Sequence, residues 1–337
     1  MRYRLLGRTG LRVSELFLGA MTWREATPEV REMIDLYEEA GGNVVDTASF
    51  YGESESVVGE VLKGRRDRFV VATKYTLTRD PGDPNAAGNH RKNLVLTLEQ
   101  SLRRLRTEYV DLLWVHLWDR HTPIEETMRA LDDVVRVGKV LYVGISDAPA
   151  WVVSRANTLA EWRGWTPFAG LQVPYSLLWR DIERELLPMA EESGLTVAAW
   201  GTLAHGVLSG KFTSGPAPDV PTRVEPGSVT ERQHAVAGVV LEVAGELGVT
   251  PAQVAIAWTR ARSRAVHPLV GAGTPEQLAD NLAAVDVVLP GEAVERLDQA
   301  APFTRGFPAD FIAASAEAFG ARHGDLDVRG GPGGPGR

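Results

Sequence analysis

The chain has 337 residues, enough for one closed α/β barrel of about 250 residues with extensions, or for two ordinary domains. Hydrophobic residues are 44% and charged residues 24%, an ordinary soluble composition that excludes a disordered or fibrous chain. The 36 basic and 44 acidic side chains leave a formal charge of −8, which offers no footprint for a nucleic-acid backbone or an anionic membrane surface. The lack of cysteine removes disulfides, thiolate nucleophiles and iron–sulfur clusters.

From the amino end, Met1 to Gly10 is basic but broken by charges and glycines before the apolar core of a signal peptide can form. No window of about 18 uncharged apolar residues follows. A cytoplasmic protein is the expectation. Tyr3–Leu6 and Leu11–Val13 flank the turn Gly7-Arg-Thr-Gly10 and read as a β-hairpin, placed to plug the amino end of a barrel.

Short apolar runs then alternate with amphipathic segments. Strands are predicted at Leu16–Leu18, Val44–Val45, Phe69–Thr73, Leu112–Val115, Val140–Ile145, Gly170–Val173, Thr196–Trp200 and Val266–Val270. Helices are predicted at Pro28–Ala40, Lys92–Leu105, Ile124–Val137, Ile182–Glu192 and Pro251–Ala261, where apolar residues recur every three or four positions. Strand followed by helix, repeated, argues for a parallel sheet.

Open sheet and closed barrel differ in where chemistry gathers. Gly19, Asp46, Lys74, His116, Ser146, Gln172, Trp200 and Gly271 stand at the strand ends, spaced by 27, 28, 42, 30, 26, 28 and 71 residues. Polar and glycine residues at the carboxyl end of every strand fit a (β/α)8 barrel, whose eight ends converge on one face. The spacing of 71 contains residues 205–229, rich in Gly, Pro, Ser and Thr, which reads as a lid or binding loop. The expectation is one TIM-barrel domain over residues 1–320 and a flexible tail over 321–337, whose end is all Gly, Pro and Arg.

Asp46 follows two valines, where a carboxylate is costly unless paired, and Lys74 ends the next strand, so the two can neutralise each other. Tyr51 lies five residues past Asp46, above the same face. A phenol titrates near about 10 and needs a neighbouring ammonium to favour its phenolate. His116 closes the following strand and is placed to hydrogen-bond the same reacting oxygen. Proton donor, tuning cation, counter-ion and orienter make a set suited to acid catalysis. Singly, each also reads as an ordinary structural residue.

Rival chemistries fit less well. His116 and His121 are five apart and lack the glutamate of a helical zinc motif, so no metal site is read. Gly206 to Lys211 is one residue short of a P-loop, with Phe212 where Ser or Thr should hold magnesium. No Gly-x-Gly-x-x-Gly follows a strand.

Asp46-Thr-Ala, Tyr51-Gly-Glu-Ser-Glu, Thr73-Lys74 and His116, in this order and spacing, resemble the aldo-keto reductase family, and the likeness runs from about Arg4 to Leu297. Within it the chain is similar to the branch holding the potassium-channel beta subunits and many bacterial reductases. The resemblance implies reversible, NADPH-dependent reduction of an aldehyde or ketone. Tyr51 is then the general acid, Lys74 lowers its pKa, Asp46 holds Lys74 and His116 orients the substrate.

The same resemblance implies a site for NADP(H), with NAD(H) possible. Gly19, Ala20 and Met21 form the nicotinamide-side turn; Ser146, Asp147 and Gln172 meet the carboxamide, with Asp147 where the family usually has Asn or Arg; Trp200 stacks on the ring. Gly201, Thr202, Leu203, Ala204 and His205 wrap the pyrophosphate, with Gly201-Thr202 where the family often has Ser-Pro. Lys211 and Arg223 are the nearby cations. Gly271, Gly273, Gln277, Asp280 and Asn281 face the adenosine end, with Gly273 where a Ser or basic residue is common.

Trp23, Phe50, Trp118 and Arg120 join Tyr51 and His116 as substrate-pocket candidates, Arg120 either binding an anionic substrate or pairing with Asp119. Two other readings stand beside the simple carbonyl reductase. One is a reductase of nucleotide-linked keto or enoyl deoxysugars, the other an NADP(H)-binding redox sensor with slow turnover. The oligomeric state is not legible.

Overall fold

A computed structural model describes residues 1–213 and 224–315. Arg223, the last part of the expected barrel domain (316–320) and the expected tail (321–337) lie outside the described residues.

The hairpin pairs β1 (Tyr3–Leu5) antiparallel with β2 (Arg12–Ser14). The chain then runs through β3 (Phe17–Gly19), α1 (Pro28–Glu39), β4 (Val44–Asp46), α2 (Ser54–Val61), β5 (Val70–Tyr75) and α3 (Arg91–Leu105). It continues with β6 (Val110–Val115), α4 (Ile124–Arg136), β7 (Val140–Ser146), α5 (Ala150–Arg163), β8 (Phe168–Pro174), α6 (Leu186–Ser193) and β9 (Thr196–Trp200). Next come α7 (Glu231–Leu247), α8 (Pro251–Ala261), β10 (Val266–Val270), α9 (Pro275–Ala283), α10 (Gly291–Ala300) and α11 (Ala309–Ala314).

Strands β3 to β10 pair in parallel, each with its sequence neighbour, and β10 closes on β3 through Leu269 opposite Phe17. This is a (β/α)8 TIM barrel with an amino-terminal hairpin. No single helix among the described residues is long and apolar enough to cross a membrane.

The period of two along each strand divides two cores. Val45, Val71, Leu113, Ile145, Leu171 and Val197 point outward and pack under the helices. Val44, Val70, Ala72, Leu112, Trp114 and Ala198 point inward and share a separate cluster with Leu6 and Val13 of the hairpin. The hairpin therefore fills the amino end of the barrel. Gly7 allows it: its φ is +54°, and a Cβ there would stand 2.2 Å from the Ala169 carbonyl oxygen. Its N–H donates to Thr196 Oγ1 at 2.8 Å.

One expectation needs correction. The helix expected from Ile182 begins at Leu186 instead, after a 3-10 turn over Asp181–Glu183. Pro188 explains the shift, because it lacks an N–H and is tolerated only in a first turn. Within residues 205–229 the described part includes most of a 3-10 stretch, Ala204–Ser209, packed against α7 and α8.

Inside the amino end, His267 of β10 is 1% exposed and its Nδ1 lies 3.0 Å from the Ser14 carbonyl oxygen. Burial lowers its pKa from 6.5 to about 4, opposed by that backbone contact. Between those values the unfolded chain holds a proton that the folded chain rejects, so stability rises with pH and is lost on acidification. His267 alone should contribute a loss of about 3 kcal/mol by the lower end of the window. Urea unfolding of His267→Gln across this window should show a shallower pH slope than the parent; an equal slope would refute the assignment.

Candidate active site

The carboxyl ends of the strands bring four expected residues together. Asp46 ends β4 and is 2% exposed, while Lys74, next to last in β5, is 1% exposed. Lys74 Nζ donates to Asp46 Oδ2 and, at 2.8 Å, to the Thr47 carbonyl oxygen. The other carboxylate oxygen, Oδ1, accepts from Gln172 Nε2 at 2.8 Å. Both buried charges thus have partners, the condition for tolerating them. Sequence placed Gln172 only beside a cofactor; its second role appears when β8 closes on the barrel.

Tyr51 sits on the loop between β4 and α2 with its ring centroid 4.9 Å from Lys74 Nζ, and a side-chain hydrogen bond links the two residues. The loop is held from several sides. Arg24 Nη1 donates to the Tyr51 carbonyl oxygen at 2.6 Å, and Arg104 Nη1 donates to that of Ser49 at 3.3 Å. Ser54 is the first residue of α2. Its hydroxyl donates to the Ala20 carbonyl oxygen at 2.7 Å, tying the loop to the turn after β3.

His116, one residue past β6, meets Tyr51 edge to face at 5.7 Å between ring centroids. Its Nδ1 is buried without a partner. Burial, with Lys74 a lesser contributor, lowers its pKa to about 3, so the imidazole is neutral at ordinary pH. An unpartnered lone pair is less costly than an unpartnered N–H, which favours the tautomer carrying its proton on Nε2.

Burial raises the Tyr51 pKa above 10, and Lys74 only opposes this. The net direction is opposite to the expected lowering, because burial penalises the phenolate by more than the paired ammonium relieves. Tyr51 is therefore a protonated phenol throughout the neutral range.

The positions expected around a dinucleotide line the same rim. Ala20 N–H donates to the Asp46 carbonyl oxygen at 2.8 Å, and Met21 is 37% exposed beside it. Ser146 Oγ donates to the Gln172 carbonyl oxygen at 2.7 Å. Asp147 adopts φ +45° and interacts with the Trp200 and Ser146 side chains.

Trp200 packs edge to face on Trp179 at 5.9 Å, and Trp179 in turn meets His205 at 5.0 Å. Nothing in the sequence marked Trp179 for this place. Gly201 yields to it, since a Cβ there would lie 2.5 Å from the indole. Beyond buried Thr202 and half-buried Leu203, Ala204, His205 and Gly206 hold φ of 46°, 57° and 95° in succession. Backbone strain of this kind is kept where a site requires it. Lys211 folds its stem over Gly206.

At the far end, Gly271 and Gly273 keep the rim clear, and a Cβ at Gly271 would meet only the Gly19 carbonyl oxygen, at 3.7 Å. Asn281 Nδ2 donates to the Gly271 carbonyl oxygen at 3.2 Å, and Gln277 Oε1 accepts from Gly273 N–H at 2.9 Å. The Asp280 carboxylate accepts from the Thr250 hydroxyl at 3.0 Å and from Gln253 Nε2 at 2.7 Å. An open rim, a strained loop and the amino end of α9, capped by Thr274, suit a long ligand carrying phosphates.

Of the pocket candidates, Trp23, on the loop after β3, is 3% exposed and belongs to the hydrophobic core cluster. Phe50 is 54% exposed. Trp118 packs edge to face on Trp151 at 5.7 Å, and with Arg120, Ile124 and Arg155 these line a groove of about 290 Å³. Trp151, at the start of α5, was missed because an apolar residue at a helix start reads equally well as core. Asp119 does not pair with Arg120; it accepts from His121 N–H, Asn89 N–H and the Thr122 hydroxyl, fixing the loop that carries Trp118. Larger concavities, of about 620 and 500 Å³, lie elsewhere among mostly paired surface charges such as Arg31–Glu60 and Arg180–Glu183.

A parallel barrel with a buried Lys–Asp pair, a phenol and a neutral imidazole at its carboxyl mouth defines a class of oxidoreductase. Residues 15–302 match the Aldo/keto reductase family, and the chain belongs to it. It is 39% identical to norsolorinic acid reductase stcV of Emericella nidulans over 91% of this chain and 83% of that protein. It is also 39% identical to aryl-alcohol dehydrogenase GME11368 of Pestalotiopsis microspora, over 92% and 85%. Aryl-alcohol dehydrogenase [NADP(+)] of Phanerodontia chrysosporium is 36% identical, over 89% and 85%. The chain is an enzyme of carbonyl and alcohol redox chemistry.

Proposed function

We propose that the protein reduces aldehydes or ketones conjugated to an aromatic ring, reversibly, with NADP(H) preferred over NAD(H), in the cytoplasm. The observation that carries the chemistry is the arrangement of Tyr51, Lys74, Asp46 and His116: a protonated phenol beside a buried, paired ammonium, faced by a neutral imidazole. The bound nicotinamide supplies the hydride.

His116, as the Nε2–H tautomer, donates to the carbonyl oxygen and fixes its direction. Tyr51 Oη then delivers the proton as negative charge develops there, a step of general acid catalysis. Lys74 steadies the phenolate left behind, and Asp46 with Gln172 keeps Lys74 charged and in place. Gly19, Ala20, Met21, Ser146, Gln172 and Trp200 would hold the nicotinamide. The strained 201–206 loop, Lys211 and the amino end of α9 would hold the phosphates.

Two observations support the narrower substrate and cofactor. The groove lined by Trp151 and by Trp118, which follows His116 by two residues along the chain, offers aromatic edges and faces, and relatives carry the names aryl-alcohol dehydrogenase and norsolorinic acid reductase. One relative is named for NADP(+). Titration with NADPH and with NADH, followed by quenching of tryptophan fluorescence, tests the cofactor, because Trp200 and Trp179 line the expected ring site. Saturable quenching, tighter for NADPH, is expected. Tighter NADH binding would overturn the preference, and binding of neither would overturn the reading.

A further inference from the structure

Asp46 and Lys74 cancel each other within the barrel. Tyr51 is a neutral phenol and His116 a neutral imidazole. Asp147 adds one more carboxylate. It lies at the end of β7, where its backbone N–H donates to the Gln172 carbonyl oxygen at 3.3 Å and its φ of 45° fixes the direction of the side chain.

The residue is exposed. It hydrogen-bonds to the side chains of Trp200 and Ser146, and its charge acts on both Tyr51 and Lys74. Desolvation by its surroundings raises its pKa above the ordinary carboxylate value, opposed by these hydrogen bonds and by the Lys74 ammonium.

A hydride donor must come within about 3–3.5 Å of the carbon whose oxygen meets Tyr51. Tyr51 and Trp200 would hold the nicotinamide there, and Asp147 hydrogen-bonds to Trp200 and acts through its charge on Tyr51. The oxidised ring carries a positive charge and the reduced ring carries none, while the rest of the dinucleotide is the same in both. A fixed carboxylate at the ring therefore acts on the difference between the two oxidation states and leaves the shared contacts out of account.

We propose that Asp147 is a specificity-determining residue that makes the mouth hold the cationic oxidised nicotinamide more tightly than the neutral reduced one. The inference rests on the nicotinamide reading above. Its consequence is a bias of the bound pair toward giving up hydride, because the product state of the cofactor gains an attraction that the reactant state lacks.

The test compares dissociation constants for NADP+ and NADPH, by equilibrium titration of the full chain well above the carboxylate range, in the parent, Asp147→Asn and Asp147→Ala. Asn accepts the left-handed backbone at least as well as Asp, so the fold is not at risk. Both variants should weaken NADP+ relative to NADPH by about tenfold, the scale of one partly screened charge near the ring.

A ratio unchanged in Asp147→Asn, with both cofactors still bound, would overturn the inference and leave the reductase reading intact. A ratio that moves only in Asp147→Ala would also overturn it, since a hydrogen-bond contact and not a charge would then be responsible. Failure of the parent to bind either cofactor would overturn this inference together with the reading beneath it.

Discussion

Tyr51→Phe is expected to lower kcat/KM for carbonyl reduction by about 10²–10⁴-fold while leaving NADPH affinity nearly unchanged. The substitution removes one oxygen and keeps the ring. The ring keeps its edge-to-face contact with His116 and its place beside Lys74, and only the hydrogen bond between its hydroxyl and Lys74 is lost, so the loop should keep its place. Arg24 and Arg104 hold that loop through backbone carbonyls, which the change does not touch. A loss confined to kcat, with normal cofactor quenching, is what a proton donor predicts. Retained turnover would remove Tyr51 from its role, and loss of cofactor binding would make the residue structural.

Lys74→Met should be the most destabilising change at the mouth, by about 3–5 kcal/mol. It strands the Asp46 carboxylate at 2% exposure, with Gln172 as its remaining side-chain partner. For a chain of this size the melting temperature should fall by about 10 °C. Adding Asp46→Asn in the same chain should restore much of that loss, because the uncompensated charge is gone. Calorimetry of the parent, both single variants and the double variant forms the cycle. Additive losses would show that the two groups are not paired in solution. Activity should be absent in all three variants, since none retains both the ammonium and its counter-ion.

The barrel was legible because its strands are apolar on both faces and its functional groups recur at nearly equal spacing, which strand ends on one rim require. Gly19, Asp46, Ser146 and Trp200 do end their strands; β5 runs one residue past Lys74, and β8 two past Gln172. The start of α6 was misread since amphipathic spacing continues back to Ile182 and only Pro188 limits it.

At the site, residue types and order were enough to gather Asp46, Tyr51, Lys74 and His116. Two things were not readable. The direction of the Tyr51 shift depends on how deeply the loop packs, a balance between burial and a cation that spacing does not measure. Which aromatics face the mouth was equally hidden. Trp23 and Trp118 look alike in sequence, but one is core and the other lines a groove with Trp151.

The most direct measurement follows the hydride itself. The protein is incubated with NADPH deuterated at the transferable position and an aromatic aldehyde, and the alcohol is analysed by mass spectrometry. One deuterium at the carbinol carbon, in amounts matching cofactor consumed and greatly reduced in Tyr51→Phe, is the expected result. Alcohol without deuterium, or no alcohol despite bound cofactor, would contradict the assignment of this barrel as an NADPH-dependent carbonyl reductase.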